Sequence, residues 1–95
     1  MGIEYAASDA PLATLEGHTD EVYGVLSLPD GRLLSWSTDR TLRLWDVGSG
    51  APLATLEGHT DSVEGALTLP DGRLLSWSFG DNTLRLWDKI GRAHV

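Results

Sequence analysis

The 95-residue chain carries one stretch twice. Pro11–Asp46, PLATLEGHTDEVYGVLSLPDGRLLSWSTDRTLRLWD, returns as Pro52–Asp88, PLATLEGHTDSVEGALTLPDGRLLSWSFGDNTLRLWD. The displacement is 41 residues up to Ser37/Ser78 and 42 from Asp39/Asp81 onward, so the second copy holds one inserted residue. The differences are Glu21/Ser62, Tyr23/Glu64, Val25/Ala66, Ser27/Thr68, Thr38 replaced by Phe79-Gly80, and Arg40/Asn82. A period near 40 marks a supersecondary unit that buries its apolar surface against the next unit, as in arrays and propellers. The chain has no cysteine, so neither a disulfide framework nor a thiolate metal site can compensate for a small core.

Each copy divides into four short runs separated by turn chemistry, the signature of an all-β chain. The first copy predicts strands over Leu12–Glu16, Val22–Leu28, Leu33–Ser37 and Thr41–Trp45. The second predicts them over Leu53–Glu57, Val63–Leu69, Leu74–Ser78 and Thr83–Trp87. Pro29-Asp30-Gly31 and Pro70-Asp71-Gly72 supply the turn between the second and third runs. Positions 21, 23, 25 and 27 differ between the copies, whereas Val22, Gly24, Leu26 and Leu28 are repeated. That alternation has the strand period of two, with one face held and the other free to vary.

Gly17-His18 with Trp45-Asp46, and Gly58-His59 with Trp87-Asp88, make the resemblance specific: the chain is similar to two WD40 repeats. The resemblance implies β-propeller blades of four antiparallel strands, two blades per chain. It also implies that the repeat is out of phase with the blade. Leu12–Glu16 then resembles the outer strand of a preceding blade, Leu53–Glu57 completes blade one, and blade two lacks its outer strand. The domain reading is an N-terminal extension (1–10), a first repeat (11–51), a second repeat (52–88) and a tail (89–95). The tail, Lys89-Ile90-Gly91-Arg92-Ala93-His94-Val95, resembles the in-frame translation of a sequencing adapter and is expected to carry no evolved role.

The resemblance further implies a structural hydrogen-bonded tetrad in each copy: His18, Ser35, Asp39 and Trp45, then His59, Ser76, Asp81 and Trp87. Ser37 and Ser78 share a strand face with Ser35 and Ser76, so the choice of serine stays open by two residues. A Ser-His-Asp hydrolase is the competing reading. Against it, no nucleophile elbow is present and the pattern occurs twice, which suits a strut better than an active site. Asp30-Gly31 and Asp71-Gly72 lack further carboxylates at calcium-ligand spacing, and no phosphate-cradling glycine loop occurs. No cofactor or metal is expected. Arg32, Arg73, Arg43 and Arg85 read as solvated or paired with carboxylates. Trp36 and Trp77 read as packing between blades.

Seven basic against fourteen acidic residues give a net charge of −7, which argues against nucleic acid and anionic membrane as partners. The longest apolar runs are too short to span a bilayer. The reading is therefore a cytoplasmic, non-catalytic interaction scaffold, with an unknown protein partner met at Glu21, Tyr23, Ser62 and Glu64. The alternative is a small-ligand-binding or hydrolytic propeller using its central channel. Two blades cannot close a ring alone, so head-to-tail assembly by strand exchange is expected, Leu12–Glu16 of one chain supplying the outer strand that blade two of its neighbour lacks. Only even blade numbers are then possible, and the bulk of Trp36 and Trp77 between blades favours a homotetramer of eight.

Overall fold

The computed structural model describes residues 11–93. The extension 1–10 and His94-Val95 of the tail lie outside them. Seven strands form two antiparallel meanders. The first sheet orders β1 (Val22–Ser27), β2 (Arg32–Ser37), β3 (Thr41–Asp46) and β4 (Pro52–Glu57). The second orders β5 (Gly65–Thr68), β6 (Leu74–Ser78) and β7 (Thr83–Trp87).

The turns follow from their residues. Leu28 N–H donates to Arg32 O at 2.8 Å and Leu69 N–H to Arg73 O at 2.8 Å. Gly31 and Gly72 close these turns at φ 88° and 89°, where a Cβ would be strained. At the next turn the left-handed position falls to Arg40 (φ 76°) in one copy and Asn82 (φ 60°) in the other. Asparagine tolerates that backbone better than arginine does.

Burial separates the two faces of each sheet. Leu34, Leu42, Leu44 and Leu56 of sheet one pack with Leu74 and Trp87 of sheet two, and with Val63 just before it, in one cluster. This inter-sheet layer is the core. Val63 N–H also donates across the junction to Ser37 O at 3.1 Å. On the outer faces the same residue types are uncovered. Val22, the counterpart of Val63, is 55% exposed against 0%, and Leu84, the counterpart of Leu42, is 70% exposed against 0%.

Two strand expectations need correction. Leu12–Glu16 is not a strand: among the described residues no strand pairs with it. It nevertheless sits where an outer strand of a preceding blade would run. Gly50 stands beside Ala13 as Gly91 stands beside Ala54 one blade later. The expected strand Val63–Leu69 shortens to β5, since Val63 turns its N–H to the other sheet. Blade two has three strands, with Ala93 alone bridging to Trp87.

Candidate functional site

The structure brings His18, Ser35, Asp39 and Trp45 into one hydrogen-bonded chain running from a loop through β2 and β3. Trp45 Nε1–H donates to Ser35 Oγ at 2.9 Å. Ser35 Oγ lies 2.7 Å from His18 Nε2, and His18 Nδ1 lies 2.8 Å from Asp39 Oδ2. An indole can only donate, so Ser35 Oγ accepts from Trp45 and links it to His18 Nε2. The second copy repeats the chain through Trp87, Ser76, His59 and Asp81 at 2.9, 2.7 and 2.8 Å.

The serine left open in the sequence is Ser35, and Ser76 in copy two. Ser37 and Ser78 are buried on the same face but accept from the Asp39 and Asp81 amides at 3.0 and 3.3 Å. They pin the turn that presents the carboxylate.

Each aspartate is the best-supplied acceptor of its tetrad. Asp39 also accepts from Thr41 Oγ1 at 2.5 Å, Thr41 N–H at 2.9 Å and Thr19 N–H at 3.0 Å. Burial favours protonating it, but the hydrogen bonds from Thr41, His18 and Thr19 outweigh that and hold its pKa down at about 2. Asp81, served by Thr83, His59 and Thr60, is lowered in the same way against the same burial.

The two threonines were not singled out in the sequence. Their signal was the repeated Asp-x-Thr spacing of Asp39/Thr41 and Asp81/Thr83. Gly17 and Gly58 complete the site. A Cβ there would stand 3.2 Å from the Trp45 ring edge and 3.1 Å from the Trp87 ring edge. The glycine before each histidine lets the backbone close over the tryptophan.

The geometry resembles a catalytic triad in its Ser–His–Asp order, but its serines do not behave as nucleophiles. Ser35 and Ser76 are 6% and 0% exposed and each already accepts an indole N–H. A reacting carbonyl has no approach to an oxygen engaged on both sides.

The four proposed contact residues lie at the tetrad end of the blades. Glu21 and Tyr23 are exposed, Ser62 and Glu64 half-buried. The Glu64 carboxylate accepts from Phe79 N–H at 3.3 Å, so it braces the inserted residue. Phe79 itself is 74% exposed at this end, an aromatic that the copy comparison marked only as an insertion. Gly80 beside it is required because the Asp61 side chain packs against its Cα.

Arg32 pairs with Asp30 at 2.9 Å and Arg73 with Asp71 at 2.7 Å. Arg43 and Arg85 are half-buried. Among the described residues neither forms an ion pair, and the Nε of each is buried without a hydrogen-bond partner. They lie against the sheet under Gly17 and Gly58, away from the turn carboxylates. No group of three or more acidic, histidine or cysteine side chains suited to a metal occurs among the described residues. No helix among them is long and apolar enough to cross a membrane.

Residues 9–46 and 50–88 each match the family model described as WD domain, G-beta repeat. The chain is 56% identical over 34 residues to the tRNA (guanine-N(7)-)-methyltransferase non-catalytic subunit wuho of Anopheles gambiae, covering 36% of this chain and 9% of that protein. It is 51% identical over 43 residues to zinc finger CCCH domain-containing protein 62 of Arabidopsis thaliana, covering 43% and 10%. A third relative, mitochondrial division protein 1 of Chaetomium globosum, is 49% identical over 43 residues, covering 45% and 6%. The chain thus spans no more than a tenth of these relatives' lengths.

Proposed function

This chain belongs to the WD40 repeat family, and from that premise we propose that it is a cytoplasmic, non-catalytic interaction scaffold that completes its propeller by head-to-tail self-assembly. The observation that carries the assembly is the exposure difference between equivalent residues. Leu42 and Val63 are sealed at the junction inside the chain, while Leu84 and Val22 stand open on the two outer faces. The inner junction is therefore a template for the outer one: the Leu84 face of one copy meets the Val22 face of the next. Unpartnered apolar faces and a free strand edge drive association of this kind. Because the contact is heterologous, repeated application closes a ring or continues as a filament.

Two blades per chain make the ring even-numbered. Trp36 packs against the inter-sheet cluster beside the inner strand. Bulk there narrows the angle between neighbouring blades, which favours eight blades from four chains over six from three. Propellers usually have four to eight blades, so ten is disfavoured.

The tetrads act as struts within the scaffold. Buried serines each held between an indole N–H and an imidazole, and the same network in both copies, support that role over hydrolysis. Partner contact is assigned to the exposed tetrad end at Glu21, Tyr23, Ser62 and Glu64, where the two copies differ. The acidic net charge supports a protein partner over nucleic acid or anionic lipid. A relative named as a non-catalytic subunit agrees with a binding role.

Sedimentation of the wild-type chain and of Val22→Asp tests the reading. Val22 is exposed in the single chain, so the variant keeps its blades but buries a carboxylate at the junction. The expected result is an oligomer for the wild type and a smaller species for the variant. A wild-type chain that sediments as a monomer throughout the micromolar range overturns the assembly.

A further inference from the structure

We propose that Asp30-Gly31 and Asp71-Gly72 are isoaspartate-forming modification sites, each restrained by the arginine that follows its glycine, Arg32 in one copy and Arg73 in the other. Neither site depends on the assembly or on the tetrads.

An aspartate followed by glycine is the pair whose main chain most readily closes on its own side chain, because glycine leaves its amide nitrogen unhindered. Both pairs sit in the same local sequence, Leu-Pro-Asp-Gly-Arg-Leu, at Leu28–Leu33 and Leu69–Leu74. Both aspartate side chains are more than half exposed, 57% and 54%. A Cβ on Gly31 would meet nothing within 4 Å, and one on Gly72 would meet only the flexible Lys89 stem at 3.6 Å. The two turns flank an open groove of about 460 Å³. Room for ring closure is present at both.

The reaction needs no partner but water. The glycine nitrogen attacks aspartate Cγ, the N–Cγ bond forms, and the amide proton leaves with the carboxyl hydroxyl as one water. Water then adds back to the succinimide. Opening at the former main-chain carbonyl carries the chain through Cγ and frees the α-carboxyl, with no net change in mass. One carbon is thereby inserted into the turn that Leu28 N–H closes on Arg32 O, or Leu69 N–H on Arg73 O.

The fold opposes this step at both reacting atoms. The carboxyl is a good electrophile only when protonated, and each arginine stabilises the ionised form. Arg32 Nε donates to Asp30 Oδ1 and Oδ2 at 3.0 and 2.9 Å. Arg73 holds Asp71 by its N–H on Oδ1 at 3.1 Å and its Nε on Oδ2 at 2.7 Å. The Arg32 side chain in one turn, and the Arg73 amide and then its side chain in the other, keep the two carboxyls below the ordinary carboxylate range. Arg32 is itself anchored, since its Nη1 donates to Lys89 O across the junction. The attacking nitrogen is engaged as well: Gly31 N–H donates to Leu28 O at 3.3 Å and Gly72 N–H to Leu69 O at 2.9 Å.

The repeat supplies its own control. The wild-type chain, Arg32→Gln and Arg73→Gln are aged at neutral pH, and isoaspartate at each turn is quantified by proteolysis and electron-transfer fragmentation. Arg32→Gln should raise the rate at Asp30 by about two- to fivefold, the factor an exposed charge pair is worth, and leave Asp71 unchanged. Arg73→Gln should act at Asp71 alone, and more weakly, because the Arg73 amide stays in place. End-capped peptides Leu-Pro-Asp-Gly-Arg-Leu and Leu-Pro-Asp-Gly-Gln-Leu should react faster than the folded chain and at similar rates. Unchanged rates in the variants, or equal acceleration at both turns by either substitution, overturn the restraint. Isoaspartate in the peptides with none in any of the three chains overturns the sites.

Discussion

The indole of Trp36 covers Gly24, its cross-strand partner, so closely that a Cβ on Gly24 would come within 2.5 Å of Trp36 Cε2. Trp77 and Gly65 repeat the relationship at the same 2.5 Å. An aromatic covering a glycine restores the packing that the glycine lacks and fixes strand register. Gly24→Ala is therefore expected to overpack the pair and destabilise the fold by about 1–3 kcal/mol. Denaturant unfolding measures this, with Gly48→Ala as control, since a Cβ there meets only the Asp46 carboxylate at 3.9 Å.

Trp45→Phe keeps most of the ring and removes the N–H that donates to Ser35. The buried serine oxygen then loses its donor, at a cost of about 1–3 kcal/mol. The melting temperature should fall clearly, while the rings that remain folded keep their partner-binding surface. Loss of binding at unchanged stability would make Trp45 a contact residue and refute its role as a strut.

Acid should expose the aspartates. Asp39 has its pKa lowered from 3.8 in the unfolded chain to about 2 in the fold. Its contribution is fully present above 3.8, shrinks as the unfolded chain takes up its proton below that, and is gone once pH falls below about 2. Unfolding free energies measured at pH 6, 3.5 and 2.5 should decline through that window. Asp39→Asn should start lower and show a shallower decline. Equal slopes in the two proteins would contradict the assignment.

Most of the fold is legible in the sequence because the repeat compares the chain with itself. The alternation of repeated and differing residues from 21 to 28 already separates the faces of β1, and Leu28 is buried while Tyr23 and Val25 are exposed. Val22 escapes that rule. Its face is right, but no described residue covers it as blade one covers Val63. The same cause removes Leu12–Glu16 from the strands: the sequence carries the propensity, whereas a ladder needs a second edge. At the tetrad, a period of two cannot separate Ser35 from Ser37, because both point the same way. Only the distance along β2 to His18 and Trp45 distinguishes them.

Native mass spectrometry of the intact chain at micromolar concentration tests most directly whether the two open faces meet each other. The expected spectrum is dominated by a complex of four 10.3 kDa chains, an eight-bladed ring. A dominant complex of three or five chains would contradict the tetramer, and a monomer would contradict head-to-tail assembly altogether.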